Sequence, residues 1–131
     1  MPERDANRAV DQFLLDEIDT VPHLEALLLI WNSRSKHWSA EDMGRALYLS
    51  PDSAKEILED LVRRGLISSS GPLPDYYFQP EPDRDELLAA VNNAYQKDLI
   101  HVSRLIHSKP SAAIREFARA FRIKKGGSKK P

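Results

Sequence analysis

The segment from Ser39 to Ile67 constrains the fold more than any other part of this sequence. It reads SAEDMGRALYLSPDSAKEILEDLVRRGLI, and two of its serines, Ser39 and Ser50, are placed where a helix would begin. Asp42 follows Ser39 at the spacing of a capping box, and Ser50 is followed by a proline at the first helical position. Gly65 comes after the second helical pattern, where a left-handed residue commonly ends a helix. The segment therefore predicts a short helix, a tight turn and a second helix.

The regions on either side of this segment predict further elements. An amphipathic helix is expected from Ala9 to Ile18, followed by a strongly apolar helix that begins after the cap residue Thr20 and forms the centre of the core. After the second helix of the segment, Leu66 and Ile67 are expected to start a strand. The turn-forming run from Gly71 to Pro74 then predicts a hairpin tip, with DYYFQ as the second strand.

This order of elements resembles a winged helix-turn-helix domain, and the chain is similar to small bacterial proteins of undefined role that are described as MarR-like regulators. The resemblance implies a mainly α fold with a small β-hairpin wing, followed by a long C-terminal helix and a short terminal helix. The resemblance to the winged-helix domain covers residues 21–80. From it, together with the pattern of predicted elements, we expect a winged-helix domain with an N-terminal helical arm over residues 1–80, a C-terminal helical extension over 81–123 and a basic disordered tail over 124–131. The apolar positions of the motif are occupied by Met43, Leu47, Leu49, Ala54, Leu58, Leu61 and Leu66.

The resemblance also implies a DNA-binding transcriptional regulator, in which the N-terminal half of the second motif helix enters the major groove. Ser53 and Lys55 would then contact base edges, because a lysine can donate to guanine and a serine can donate or accept. The predicted phosphate contacts are Arg63, Arg64, Arg34 and Lys36, and the tail that includes Lys124 and Lys125 would add a salt-sensitive contribution.

The charges of the second motif helix favour a different partner. It carries the carboxylates of Asp52, Glu56, Glu59 and Asp60, and the predicted wing has no basic residue. Carboxylates close to a polyanion weaken binding, since affinity for DNA depends on the number of phosphates that cations neutralise. The alternative hypothesis is therefore a winged helix that docks a basic protein partner and does not bind DNA sequence-specifically.

A long helix is predicted from Asp83 to Ser108, since no breaker interrupts this stretch. Its apolar residues recur three or four positions apart, as a partner helix requires. They can pack on the chain's own N-terminal helices, or they can form a homodimer. We predict the homodimer, because the distal half of so long a helix would leave an apolar patch in water. The predicted dimer contacts are Leu88, Val91, Tyr95, Leu99, Val102 and Ile106.

The C-terminal end concentrates positive charge. The last 21 residues hold seven basic side chains against Glu116 alone, although the whole chain has a net charge of −1. This asymmetry fits either an interacting basic end or a solubilising terminus. The segment SAAIREFARAF predicts a last helix, which we expect to cap the long helix through its apolar face. A nucleic-acid-binding arm and a membrane-surface element are the alternatives.

Several kinds of chemistry find no support in the sequence. There are no cysteines, which excludes disulfides, thiol catalysis and thiolate metal ligands. The four histidines are not spaced to place two metal ligands on one helical face, and the serines of the motif are explained by capping. No phosphate-binding glycine loop and no membrane-spanning or secretory segment is present in the pattern. We therefore predict a cytoplasmic protein that is not an enzyme and that needs no metal or cofactor.

Overall fold

The computed structural model describes residues 2–72 and 74–108, with the side chains of residues 2–6 excepted. Over this part of the chain, six helices and one antiparallel hairpin form the mainly α architecture that the sequence predicted. The terminal helix and the basic tail predicted beyond Ser108 lie outside the described residues. The elements, in chain order, are α1 (Pro2–Glu17), α2 (Val21–Asn32), α3 (Ala40–Leu47), α4 (Pro51–Arg63), β1 (Ser68–Ser70), β2 (Asp75–Tyr77), α5 (Pro82–Lys97) and α6 (Leu99–His107).

The helix ends confirm the predicted caps. The hydroxyl oxygens of Ser39 and Ser50 accept hydrogen bonds from the backbone amides of Asp42 and Ser53, at 3.0 and 3.1 Å. Each bond satisfies one of the amides that a helix start leaves without an intrahelical partner. Gly65 takes a φ of 73° directly after α4, in the left-handed region that glycine adopts without steric cost. These local signals fix where α3 and α4 begin and where α4 ends.

The core forms around α2, as the sequence predicted. Leu24, Leu27 and Ile30 of this helix have no solvent-exposed area. Full burial of each such side chain stabilises the fold by roughly 1.5 to 3 kcal/mol relative to exposure. Helices α3, α4 and α5 all contact α2, while α1 packs against α5 and α6. The remaining large buried apolar side chains include Phe13, Leu14, Ile18, Met43, Leu58, Leu61, Tyr76 and Phe78.

The wing is shorter than predicted and has an additional neighbour. Strand pairing begins at Ser68, two residues after the predicted start, because Leu66 and Ile67 are buried in the core before the hairpin begins. Ser69 lies opposite Tyr76 in the antiparallel register. On its other edge, Tyr76 exchanges two backbone hydrogen bonds of 2.7 and 2.8 Å with Trp38. The segment before α3 therefore lies beside the wing as a third, single-residue strand.

The prediction of one continuous helix from Asp83 to Ser108 was wrong. Helix α5 ends at Lys97, and Asp98 leaves the helical conformation with φ −141° and ψ 63°. Its carboxylate then accepts a 3.2 Å hydrogen bond from the amide of His101 and caps α6. The break lets α6 fold against α1, so that Val102 and Ile106 are buried within their own chain. Contrary to the expectation, the second half of this stretch does not extend beyond the rest of the protein but packs against α1.

None of the described helices combines the length and the apolar character that crossing a membrane requires.

Candidate nucleic-acid interface

Helix α4 is positioned by a close approach between α3 and the turn that follows it. Gly44 is buried in α3, and a Cβ atom at this position would lie 2.7 Å from the carbonyl oxygen of Leu49. The amide of Leu49 donates a 2.8 Å hydrogen bond to the carbonyl of Gly44. Because only glycine fits at this contact, the turn holds α4 at a fixed angle to α3. This tight turn sets which face of α4 points to solvent.

The exposed face of α4 is mainly acidic. Asp52, Glu56 and Glu59 are exposed there, together with Ser53 and Lys55. The hydroxyl of Ser53 accepts a 3.1 Å hydrogen bond from the hydroxyl of Ser50, so this side chain extends the cap while facing solvent. The face that was predicted to contact base edges therefore carries three carboxylates and one ammonium group.

Lys55 lies beside the wing. It lines a groove of about 300 Å³ together with Ser39, Asp75 and Tyr76. Burial raises the pKa of the Tyr76 phenol above its ordinary value of 10.0, and the negative charge of Glu59 raises it further. The structure thus places the predicted base-contacting lysine of α4 within reach of the hairpin, so that both belong to one surface.

The start of α3 carries an ion pair. Partial burial raises the pKa of the Asp42 carboxyl, but hydrogen bonds from Ser39 and Arg45 and the charge of Lys36 outweigh this effect and lower the pKa below 3.8. The guanidinium of Arg45 donates to Asp42 at 2.7 Å. This arginine is exposed and neutralises a neighbour on its own helix.

The cations that the wing lacks come from the segment between α2 and α3. The ammonium of Lys36 lies 4.0 Å from the ring centroid of Trp38, the residue that pairs with β2. The imidazole of His37 stacks on Tyr77 with a centroid distance of 4.5 Å and lies 3.9 Å from the carboxylate of Asp75. The predicted phosphate contact Lys36 is thus an exposed cation at the edge of the wing, and His37 adds a ring that sequence reasoning missed.

Arg34 links the base of the wing to α5. Its guanidinium forms an ion pair with Asp85 and lies 5.2 and 5.5 Å from the ring centroids of Trp31 and Phe78. The Arg34 hydrogen bond is the main cause that lowers the pKa of the Asp85 carboxyl below 3.8, and the 2.8 Å bond from the Trp31 indole adds to it. Arg34 remains partly exposed, so it combines a structural role with an accessible edge.

The two arginines at the end of α4 differ in their surroundings. Arg63 is exposed and pairs with Asp60 on its own helix. Arg64 donates to the backbone carbonyl of Asp16 and to the carboxylate of Asp19, both at 3.0 Å. These bonds tie the C-terminal end of α4 to the junction between α1 and α2. The structure therefore directs Arg64 into the protein and not towards the exposed face of α4.

Asp19, His23 and Asp60 form a compact group whose ligand-type atoms lie within 4.8 Å of one another. His23 is only 8% exposed, with Nδ1 at 2.6 Å from the Thr20 hydroxyl and Nε2 at 2.8 Å from Asp60. Arg63 and Arg64 supply positive charge to the two carboxylates, which is the charge that a metal ion would otherwise supply. The group is therefore an ion-pair cluster that joins α2 to α4. Periodicity could not reveal it, because its members are up to 41 residues apart.

The residues predicted for dimerisation are divided by the break at Asp98. The buried members, Leu88, Val91, Val102 and Ile106, pack within their own chain. The Tyr95 hydroxyl donates a 3.1 Å hydrogen bond to Glu25, and burial, followed by the nearby Glu25 charge, raises its pKa above 10.0. At the start of α6, Leu99 is 50% exposed and its neighbour Ile100 is 66% exposed.

The capped α3–turn–α4 unit, the hairpin and the helices that pack on both sides of them define a winged helix-turn-helix protein. A solved structure with this fold is MepR, a transcription regulator of the Staphylococcus aureus multidrug efflux pump MepA. It is 17% identical, with a TM-score of 0.53 over 98% of this chain and 93% of that chain. A MepR point mutant bound to an oligodeoxyribonucleotide is also 17% identical, with a TM-score of 0.52 over 98% and 92% of the two chains. The multiple antibiotic-resistance repressor MarR from Listeria monocytogenes is 17% identical, with a TM-score of 0.50 over 98% and 88%.

These likenesses confirm the predicted winged helix-turn-helix fold. No protein-family model and no curated protein matches the sequence. At 17% identity the shared feature is the fold, and the function has to be argued from the surface of this chain.

Proposed function

We propose that this protein is a winged-helix transcriptional regulator that binds duplex DNA through the exposed N-terminal half of α4. The observation that carries the proposal is the geometry of α4: its capped end is solvent-exposed, it is fixed by the tight turn at Gly44, and it lies beside the wing. Helix-turn-helix proteins bind DNA by placing this end of the second helix in the major groove. The likeness to a MepR mutant bound to an oligodeoxyribonucleotide supports the same use of the fold.

The contacts follow from the side chains that the surface offers. Ser53 and Lys55 contact base edges, and Lys36 with the accessible edge of Arg34 positions the wing on phosphates. Arg63 contributes from the end of α4, where its ion pair with Asp60 is exposed to water and therefore weak. Arg64 is left out of the proposed DNA contacts, because its guanidinium donates to Asp16 and Asp19 of its own chain. Lys124 and Lys125 add a sequence-independent, salt-sensitive contribution.

We further propose a homodimer, formed through the start of α6. Leu99 and Ile100 present adjacent apolar side chains to solvent at the break after Asp98, whereas Val102 and Ile106 of the same helix are buried and Leu105 is partly buried. Covering this pair with a second copy would remove it from water, and two-fold symmetry is the commonest arrangement of soluble oligomers. A dimer would present two copies of α4 to two half-sites of one duplex.

A second candidate function is docking of a basic protein partner. The exposed carboxylates of Asp52, Glu56 and Glu59 favour it, since they form a continuous negative face on α4. Such a face attracts a positively charged surface and repels DNA. In this scheme the same helix is used, and only the chemistry of the partner changes.

The experiment that tests the proposed function is selection of bound sequences from a pool of random duplexes by the full-length protein. The proposal predicts enrichment of one sequence with two half-sites about one helical turn, roughly 10 base pairs, apart. A variant carrying Lys55→Ala should lose this enrichment, whereas Lys97→Ala, which removes one exposed lysine from α5, should retain it. Recovery of a random pool by the wild-type protein would contradict sequence-specific binding and favour the docking function.

A further inference from the structure

Tyr48 is the most exposed large hydrophobic residue among the described positions and lies in the turn between α3 and α4. Its relative exposure is 96%, so that the ring makes almost no contact with the rest of the described chain. Its backbone has φ 60° and ψ 43°, in the left-handed region. Tyr48 is the sole residue other than glycine with a positive φ among the described positions.

An exposed aromatic ring on a left-handed backbone position does not stabilise the fold. A residue with a Cβ atom is strained in the left-handed region, whereas glycine and asparagine occupy it readily. The turns after α4 and within the wing use glycine where φ is positive, at Gly65 with 73° and at Gly71 with 61°. An exposed aromatic ring gains nothing from burial that would offset the strain at Tyr48. Neither the backbone conformation nor burial accounts for a tyrosine at this position, and strained positions concentrate at functional sites.

The backbone fixes where the ring stands. The amides of Tyr48 and Leu49 both donate to the carbonyl of Gly44, which closes the end of α3. Two residues after Tyr48, Ser50 caps α4 and Pro51 opens it. The ring consequently projects from a rigid turn that directly precedes the end of α4 assigned to the major groove.

We propose that Tyr48 is a DNA-backbone contact that orients α4, an inference that rests on the proposed function. Tyrosine is among the side chains that bind phosphate oxygens and so set the register of a protein on a duplex. Its hydroxyl donates a hydrogen bond to a phosphate, and its ring packs on the adjoining sugar. Since the phenol is neutral, it provides this contact beside an acidic helix without adding a charge to it.

The test is the affinity of full-length variants for the duplex selected by the wild-type protein, measured by fluorescence anisotropy at two salt concentrations. Tyr48→Gly removes the side chain and relieves the left-handed strain, and Tyr48→Phe removes only the hydroxyl. Loss of one hydrogen bond predicts a weakening of about three- to tenfold for Tyr48→Phe, and Tyr48→Gly should be weaker still. The dependence of affinity on salt should be unchanged in both, because no charge is removed.

Thermal unfolding separates this effect from damage to the fold. The midpoint of Tyr48→Gly should equal or exceed that of the wild type, so that affinity falls while stability does not. Wild-type affinity in Tyr48→Gly would overturn the contact and leave the proposed DNA binding intact. A wild-type protein that binds no duplex would overturn both, and would assign the exposed ring to a protein partner.

Discussion

Nε2 of His23 in α2 lies 2.8 Å from Oδ2 of Asp60 in α4. This contact explains one of the four carboxylates that make α4 unusually acidic for a helix proposed to read DNA. Asp60 is directed towards α2 and Arg63, whereas Asp52, Glu56 and Glu59 are exposed. One carboxylate of α4 thus contributes to stability, and the other three belong to the surface that α4 offers to a partner.

Replacement of Asp60 by asparagine should destabilise the protein. The substitution keeps the shape of the side chain but removes the charge that His23 and Arg63 contact. Hydrogen bonds to charged groups contribute about 1.5 to 3 kcal/mol, so we expect the free energy of unfolding in urea to fall by about 1 to 2 kcal/mol. Glu59→Gln, at the exposed neighbouring position, is the control and should change it by less than about 0.5 kcal/mol. Equal stability of the two variants would show that the His23 contact contributes nothing.

Substitution of Arg64 should mainly lower stability, whereas substitution of Arg63 should mainly lower the affinity for DNA. Arg64→Met removes the bonds to Asp16 and Asp19, and we expect a loss of about 1 to 3 kcal/mol in unfolding free energy with little change in DNA affinity. Arg63→Met removes an exposed ion pair worth about 0 to 1 kcal/mol, and should weaken DNA binding instead. Urea unfolding and duplex binding of both variants provide the comparison. A drop in affinity for Arg64→Met alone would place that arginine on the DNA after all.

The ion pair between Arg34 and Asp85 predicts a dependence of stability on pH. Since the pKa of Asp85 in the folded protein is lowered below 3.8, its contribution to stability is present above that value and is lost as the pH falls below it. The thermal midpoint of the wild type should therefore exceed that of Asp85→Asn near neutral pH, and the difference should shrink from about pH 5 to about pH 3. A difference that stays constant over this range would contradict the role of the carboxylate charge.

The local part of the fold could be predicted from the sequence because its causes are local. Ser39 and Ser50 cap the starts of α3 and α4 through amides only three residues away, and Gly65 follows the end of α4 with a positive φ. The structure confirms all three predictions. The break at Asp98 was missed because the apolar stripe continues through it without glycine or proline. The available signal was the aspartate itself, which is a favoured cap residue three positions before His101.

The candidate site was predicted less completely, because its charges are paired over long distances in the sequence. Arg64 and Asp19 are 45 residues apart, and Arg34 and Asp85 are 51 apart. No periodic pattern distinguishes these arginines, which pair with distant carboxylates, from arginines that pair within their own helix. The exposure of Lys55 and Ser53, in contrast, follows from the face of α4 that its apolar residues leave free, and that part of the prediction depends only on helical spacing.

The proposed homodimer should depend on the start of α6. Leu99→Lys with Ile100→Lys places two charges in the exposed apolar pair, and we expect light scattering to report a monomer where the wild type is a dimer. The fold should persist, because both side chains are at least half exposed. A matched double substitution at exposed polar positions of α5, Asn93→Lys with Gln96→Lys, should leave the mass unchanged. A wild-type protein with monomeric mass would exclude the dimer.

Helix α4 is proposed to read DNA despite its acidic face, and the most direct measurement is duplex binding by Lys55→Ala, with Lys97→Ala as the control of equal charge. Binding of the selected duplex by the full-length proteins would be followed by fluorescence anisotropy from about 50 to about 200 mM salt. A lost base contact costs about 1 to 3 kcal/mol, so Lys55→Ala should bind at least fivefold more weakly while Lys97→Ala binds as the wild type does. Equal affinities for the two variants would contradict reading by α4 and leave the acidic face to a basic protein partner.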